Sequence, residues 1–418
     1  MNNINKILPA EIISGILAHL PTESVLVSKL VCKTWKNLIL HPSFPQIHLT
    51  RLNSSTGKLR YVFLSSDDDV NRSHLYYFEY NHHEDWNFVK PICRKLMFET
   101  TYKSYTLIGS FNGLICIYGI QPDSLEADGP AVVCNPVTKE YIVLPHFESE
   151  MDRYEHLTCG FGYLSETNEY KVVRIYKLKE EEEGNVVEVE VYTVGSGKGW
   201  RYVGKFDFGF TFSTLCPDAH GVFLNGCLHW GNTEGGRMIL VFDLADEKFR
   251  EHISPPPLLT HTHDDNDFEG DNDFEGLIVI GVSGGGILYY VVCQSAEGDE
   301  FDGVWLLMDK NDNHVMKGQE EHQSWGWRKV NSLHQREPFA FMEGIIPLRY
   351  DEGHIKRFVS STSTWENLVQ FNEIARHVFP HQHTLVSLKG LGEKDAKILA
   401  DRASTGTWRF LERLLELG

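Results

Sequence analysis

The sequence predicts a multidomain, mostly β protein: a three-helix module over residues 1–48, an all-β propeller of about six blades over 49–350, a linker over 351–383 and a short helical hairpin over 384–418. Three observations carry this. Three amphipathic helical signals crowd into the N-terminus. Short strands rich in β-branched and aromatic residues then succeed one another, and two phrases recur along them. Near residue 350 the β pattern breaks, and helical spacing returns at the end.

In the N-terminal module Pro9 stands where a helix starts. Behind it Ile12, Ile13, Ile16, Leu17 and Leu20 recur at three- and four-residue spacing, lining one helical face. Pro21 stops this helix, and Thr22 with Ser24 offers a cap for a second that carries Val25, Leu26, Leu30 and Val31. A third carries Trp35, Leu38 and Ile39 and ends at Pro42. So short a stretch cannot bury all these groups within itself. Two completions are open: packing on the rest of the chain, or another protein.

The run from Leu8, Pro9, Glu11 and Ile12 through Ile16, Leu17, Leu20 and Pro21, followed by Val31, Cys32, Lys33 and Trp35, resembles the F-box. That resemblance implies a module docking on a Skp-type adaptor, which tethers it to a cullin-RING ubiquitin ligase. It makes Leu8, Pro9, Ile12, Ile16, Leu20, Pro21, Leu26, Val31, Cys32 and Trp35 the candidate adaptor-binding residues.

Composition sets outer limits. At 418 residues, 42% hydrophobic and 12% aromatic, the chain has the make-up of a folded multidomain protein. No apolar run approaches the roughly 20 residues of a membrane span, so no membrane partner is expected. The first residues lack a signal-peptide profile. The 8 cysteines are scattered with no C-x-x-C pair, which excludes a zinc framework and favours reduced thiols in the cytoplasm or nucleus. A net charge of −19 argues against a nucleic-acid-binding body. The acidity concentrates in Asp67 to Asp69, Glu180 to Glu183 and Asp264 to Glu275, read as solvated loops. The last run is a tandem duplication whose spacing misses a calcium loop.

Strands such as Leu59–Leu64, Leu114–Tyr118, Tyr170–Tyr176, Val187–Val194 and Ile287–Val292 carry the repetition. One phrase is a glycine turn before an apolar strand, at Asn112-Gly113, Asn225-Gly226 and Gly285-Gly286. The other is a polar turn leading to an aromatic: Asn135 to Tyr141, Val194 to Trp200, Asp243 to Phe249, and a stretched copy from Trp305 to Trp327. Aromatics returning every ~50 residues suit propeller blades. Gly109-Ser110 with Asn112 to Ile115, Asn135-Pro136 with Thr138 to Glu140, Gly160 to Tyr163 and Gly221 to Trp230 look like the F-box-associated interaction domain of plant F-box proteins, the group with S-locus F-box-like members. This implies a kelch-like propeller that binds a protein target for ubiquitination. Cys134, where the family usually has Trp, and the acidic duplication are departures.

Enzyme readings fare poorly. Gly281 to Gly285 matches G-x-S-x-G, but a strand rather than a helix follows Ser283. The pairs His82-His83 and His261/His263 have no further ligand at motif spacing. No catalysis and no cofactor are expected. In the C-terminal part Trp365 to Val369, with Ile374 and Ala375, reads as polar and compatible with helix. From Leu385 to Leu399 a helix, a Gly390-x-Gly392 turn and a second helix with Ala396 and Leu399 inward resemble the helix-hairpin-helix of some chromosome-associated kinesins. That resemblance implies a DNA phosphate site at Lys389, Gly390, Gly392 and Lys394, and an alternative role as a DNA- or chromatin-associated scaffold.

Overall fold

The computed structural model describes residues 8–53, 59–67, 72–80, 92–94, 104–120, 132–145, 154–178, 186–207, 220–231, 238–256, 276–283, 286–294, 300–309, 325–330, 340–342, 346–351, 353–359, 361–370 and 374–399. Four helices open the chain: α1 (Ala10–Leu17), α2 (Thr22–Ser28), α3 (Lys33–Ile39) and α4 (Phe44–Asn53). Pro9 and Pro21, with ψ of 152° and 149°, sit one residue before α1 and α2 and lead an extended chain into each. Thr22, expected as a cap, is instead the first residue of α2, and its hydroxyl is used elsewhere. Cys32 does cap: its Sγ accepts the Trp35 N–H at 3.5 Å, tying the Cys-Lys-x-Trp spacing to the start of α3. The fourth helix was not foreseen, because its one buried flank holds only Phe44, His48 and Leu49.

Six antiparallel sheets follow. The first contains β1 (Leu59–Asp67), β2 (Arg72–Tyr80) and β3 (Ile92–Arg94). The second is built from β4 (Ser104–Phe111), β5 (Leu114–Ile120), β6 (Val132–Cys134) and β7 (Glu140–Val143). In the third stand β8 (Tyr154–Leu164), β9 (Glu169–Leu178), β10 (Val186–Thr193) and β11 (Trp200–Asp207). The fourth has β12 (Val222–Leu224), β13 (Cys227–Gly231), β14 (Ile239–Asp243) and β15 (Lys248–Phe249). The fifth has β16 (Gly276–Val282), β17 (Leu288–Gln294), β18 (Glu300–Asp309) and β19 (Trp325–Val330). The sixth has β20 (Ala340–Met342), β21 (Ile346–Asp351), β22 (His354–Val359) and β23 (Thr364–Gln370). Finally β24 (Ile374–Pro380) pairs with β1, Val62 opposite Phe379, and becomes the inner strand of the first sheet. The inner strands β4, β8, β12, β16, β20 and β24 pack each on the next around a ring, giving a six-bladed propeller.

The linker expected over 351–383 is therefore corrected. It holds the outer two strands of the sixth blade and the strand that closes the ring. Buried Ile355 lies between His354 and Lys356, and the buried pair Leu368 and Val369 lies between Asn367 and Gln370, which gives the stretch a polar look.

Both repeated phrases are hairpins. Asn112-Gly113 and Asn225-Gly226 take φ of 50°/83° and 49°/81°, two-residue turns between the inner two strands of their blades. In the outer hairpins Asn135 Oδ1 accepts the N–H of Val137 and Thr138, and Asp243 Oδ1 accepts those of Ala245 and Asp246. The aromatics that open outer strands lock neighbouring blades. Trp200 Nε1–H donates to the Pro145 carbonyl at 2.7 Å and Trp327 Nε1–H to that of Ser254 at 2.8 Å, each just beyond the preceding blade's outer strand.

The expected helical hairpin over 384–418 is also corrected in its described part. Residues 381–387 carry no helix or strand. A single turn, α5 (Leu388–Leu391), ends on Gly392 at φ 111°. Lys397–Ile398, expected in a second helix, forms β25 beside β7, with Lys397 opposite Tyr141. Residues 400–418 lie outside the described residues.

Candidate docking surface

The helical module is half finished by its own chain. Ile13, Leu17, Ala18, Val25, Leu26, Ile39 and Phe44 form a buried cluster that Val137, from the β6–β7 turn, and Leu385, from the tail, complete. Polar contacts run alongside. The Thr22 hydroxyl donates to the His383 carbonyl at 2.5 Å. His383 Nδ1 meets Glu23 Oε1 at 2.6 Å, and Tyr77 stacks on the same imidazole at 4.1 Å. Burial works to raise the Glu23 carboxyl, but the hydrogen bond and charge of His383 prevail and bring it down to about 2.

The tail is bound along the propeller as a strap. Asn135 Nδ2–H donates to the carbonyls of Thr384 (3.3 Å) and Val386 (2.7 Å), and the Thr384 hydroxyl donates to Asn112 O at 2.6 Å. Further along, buried Glu393 accepts from the Tyr192 hydroxyl at 3.0 Å and from Gly195 N–H at 2.6 Å. Leu399 N–H closes on Lys139 O at 2.8 Å. These contacts overturn the DNA phosphate site at Lys389, Gly390, Gly392 and Lys394. The Lys389 N–H already donates to Glu140 Oε2, that of Gly390 to Ser387 Oγ, and that of Gly392 to Lys389 O. A carboxylate thus occupies the anion position, and the one-turn helix carries no substantial dipole.

The other flank of the helical module faces solvent. Ile12 and Ile16, one turn apart on α1, are 51% and 53% exposed, and Leu30 and Val31 after α2 are 47% and 61% exposed. Pro9 and Pro21 are exposed beside them in sequence, while Leu8, Leu20, Cys32 and Trp35 are half-buried. Leu26 is corrected: it is a core residue, since helical periodicity alone does not separate the inside of a bundle from an apolar outside. Val27, Leu30, Leu40 and Ile47 are exposed apolar residues absent from the candidate set. The signal for them was the surplus of apolar positions over what one helical face can bury.

Ser283 is buried at the β16–β17 hairpin, its Oγ taken by the Ile287 N–H at 3.2 Å. Burial pushes the Cys116 thiol well above its ordinary value and that of Cys159 up to about 12. No group of His, Cys, Asp and Glu among the described residues could hold a metal, and no described helix is long and apolar enough to cross a membrane. The histidine pairs at 82–83 and 261/263 and the acidic duplication lie outside the described residues.

Comparison with known proteins bears on this surface. Residues 6–46 match the F-box domain and residues 60–267 the F-box associated beta propeller domain. F-box protein At3g07870 of Arabidopsis thaliana is 26% identical over 59% of this chain and 60% of its own. The F-box/kelch-repeat protein At3g23880 of the same plant is 25% identical over 59% of this chain and 65% of its own, and F-box protein At1g11270 is 28% identical over 60% and 77%. The chain thus spans less than two thirds of the length of the first two. Among solved structures, dihydro-heme d1 dehydrogenase NirN aligns with 77% of this chain and 75% of its own at 11% identity, but its TM-score of 0.30 carries no argument. With the helical module and the propeller matched in turn along the sequence, the chain belongs to the F-box proteins that carry an F-box-associated β-propeller domain.

Proposed function

We propose that this chain is the substrate-recognition subunit of an SCF-type cullin-RING ubiquitin ligase, acting in the cytoplasm or nucleus. Its F-box docks on a Skp-type adaptor and its propeller holds a protein target. The division of the F-box into two flanks carries the reading. One flank is already finished by Val137 and Leu385, whereas Ile12, Ile16, Leu30 and Val31 remain in water. Burying one such side chain fully is worth about 1.5–3 kcal/mol, so a partner covering four has a driving force to bind. In this role the chain need supply no catalytic group. Holding a target's lysines near a charged enzyme raises their effective concentration, and that suffices. The DNA-bound alternative has no observation in its favour, because the amides it needs are occupied.

The test is capture of a purified Skp-type adaptor by the full chain and by an Ile16→Glu/Val31→Glu double variant. Burying two unpaired carboxylates should cost about 100-fold or more in affinity, with melting unchanged. Equal capture by both proteins would refute the reading.

A further inference from the structure

The contact between F-box and propeller runs through the β6–β7 turn and through the tail, and one buried side chain joins the two. Asn135 is 0% exposed and uses its whole amide. Oδ1 takes the N–H groups of Val137 and Thr138, while Nδ2 gives to the carbonyls of Thr384 and Val386. The matching turn of the fourth blade shows what the turn itself requires. There Asp243 accepts the same pair of N–H groups with Oδ1 and ion-pairs with Arg250 through Oδ2. An acceptor oxygen is therefore enough to shape the turn, and the Asn135 donors serve only the tail. The turn carries Val137 and the tail carries Leu385, the two propeller-side residues of the F-box cluster. Thr22 and Glu23 grip His383 from the F-box side, two residues before Leu385.

We propose that Asn135 is a positioning residue: by clamping residues 384–386 it fixes the F-box in one orientation on the propeller, and so sets the gap between adaptor and bound target. The second half rests on the ligase-receptor reading; the clamp does not. Without it Thr22 and Glu23 would still grip His383, and Thr384 would still reach Asn112 O. The stretch that carries Leu385 would nevertheless lose both hydrogen bonds to the turn that carries Val137, leaving that side of the cluster to apolar contact, which is non-directional.

The experiment measures the distance between spin labels incorporated at Lys33, exposed on α3, and Lys198, exposed on the β10–β11 turn, in the full chain without adaptor. Wild type should give one narrow distribution. In Asn135→Asp the turn keeps its acceptor but loses both donors and sets a charge against two carbonyls, so the distribution should widen to roughly twice its breadth or more. Thr22→Val, which removes one of the two F-box contacts to His383 and leaves the Glu23 contact in place, should widen it too and decides the matter if Asn135→Asp does not fold. Asp243→Asn, the reverse swap in the fourth blade, should leave it narrow even where it lowers the melting temperature. Narrow distributions in Asn135→Asp and Thr22→Val would overturn the clamp. Failure of the wild type to bind an adaptor would remove the ligase reading and leave the clamp standing.

Discussion

The imidazole of His383 meets the carboxylate of Glu23 at 2.6 Å, joining residues 360 positions apart and fastening the tail to α2. Glu23 titrates near 2 in the folded chain against 4.5 when free. A carboxyl lowered in this way contributes stability that is complete above pH 4.5 and is lost as pH falls toward 2. Glu23→Gln should therefore cost about 1–2 kcal/mol at neutral pH, a hydrogen bond to charge discounted for partial exposure. The deficit relative to wild type should shrink between pH 4.5 and 2 in denaturant titrations. A deficit independent of pH would contradict the assignment.

His229 gives a second pH dependence, higher on the scale. Burial lowers its imidazole to about 4, against a weaker opposing pull from the Val222 carbonyl at 3.3 Å. Below pH 6.5 the unfolded chain takes up a proton that the folded chain refuses. Stability is thus full above 6.5 and drains away as pH drops to about 4, by up to about 3 kcal/mol. His381, lowered well below 6.5 by burial, acts with the same sign. His229→Gln should flatten the slope of unfolding free energy over this window, measured by urea midpoints at a series of pH values.

Gly195 is one place where the tail presses close against a blade. It takes φ +81°, and a Cβ there would lie 1.9 Å from the Leu391 carbonyl oxygen. Gly195→Ala should destabilise by about 1–3 kcal/mol, with the loss confined to the tail. Hydrogen exchange should show the amides of Glu393 and Leu399 opening about tenfold faster or more, with the inner strands unchanged. Uniform acceleration would mean the tail is not a separate unit.

Adjacent residues on α1 should behave oppositely. Leu17 is 0% exposed inside the cluster, so Leu17→Ala should cost about 2–5 kcal/mol of stability. Ile16, 53% exposed, should cost under about 0.5 kcal/mol as alanine yet weaken adaptor capture. Melting curves and binding isotherms of the two variants check the pair. Loss of stability at Ile16 would show that its flank is already covered.

What was legible in the sequence was local chemistry. The prolines before α1 and α2, the Cys32 cap with Trp35, the Asn-Gly turns and the aromatics opening β11 and β19 follow from neighbours a few residues apart. The polar look of β22 to β24 hid the end of the propeller, and β24 in particular is defined by pairing with partners such as Val62, more than 300 residues away. The Gly390-x-Gly392 stretch has the local pattern of a DNA-binding hairpin, but Glu140 takes the Lys389 amide and Tyr192 holds the Glu393 side chain that follows it. Likewise, apolar spacing on α1 and α2 marked a bundle without showing that Val137 and Leu385 would take one side of it.

The pairing of β1 with β24 also dictates an order of events during synthesis. The N-terminal helices and β1 leave the ribosome long before residues 374–385, so β1 first stands as a bare edge and the F-box as an unplugged bundle. A product cut short before Leu385 lacks the last plug, and one cut before Ile374 lacks the seam as well. Such a fragment shows greasy surface and an unpaired strand, the features by which chaperones and proteases select their clients. The same few residues thereby separate a completed chain from an aborted one.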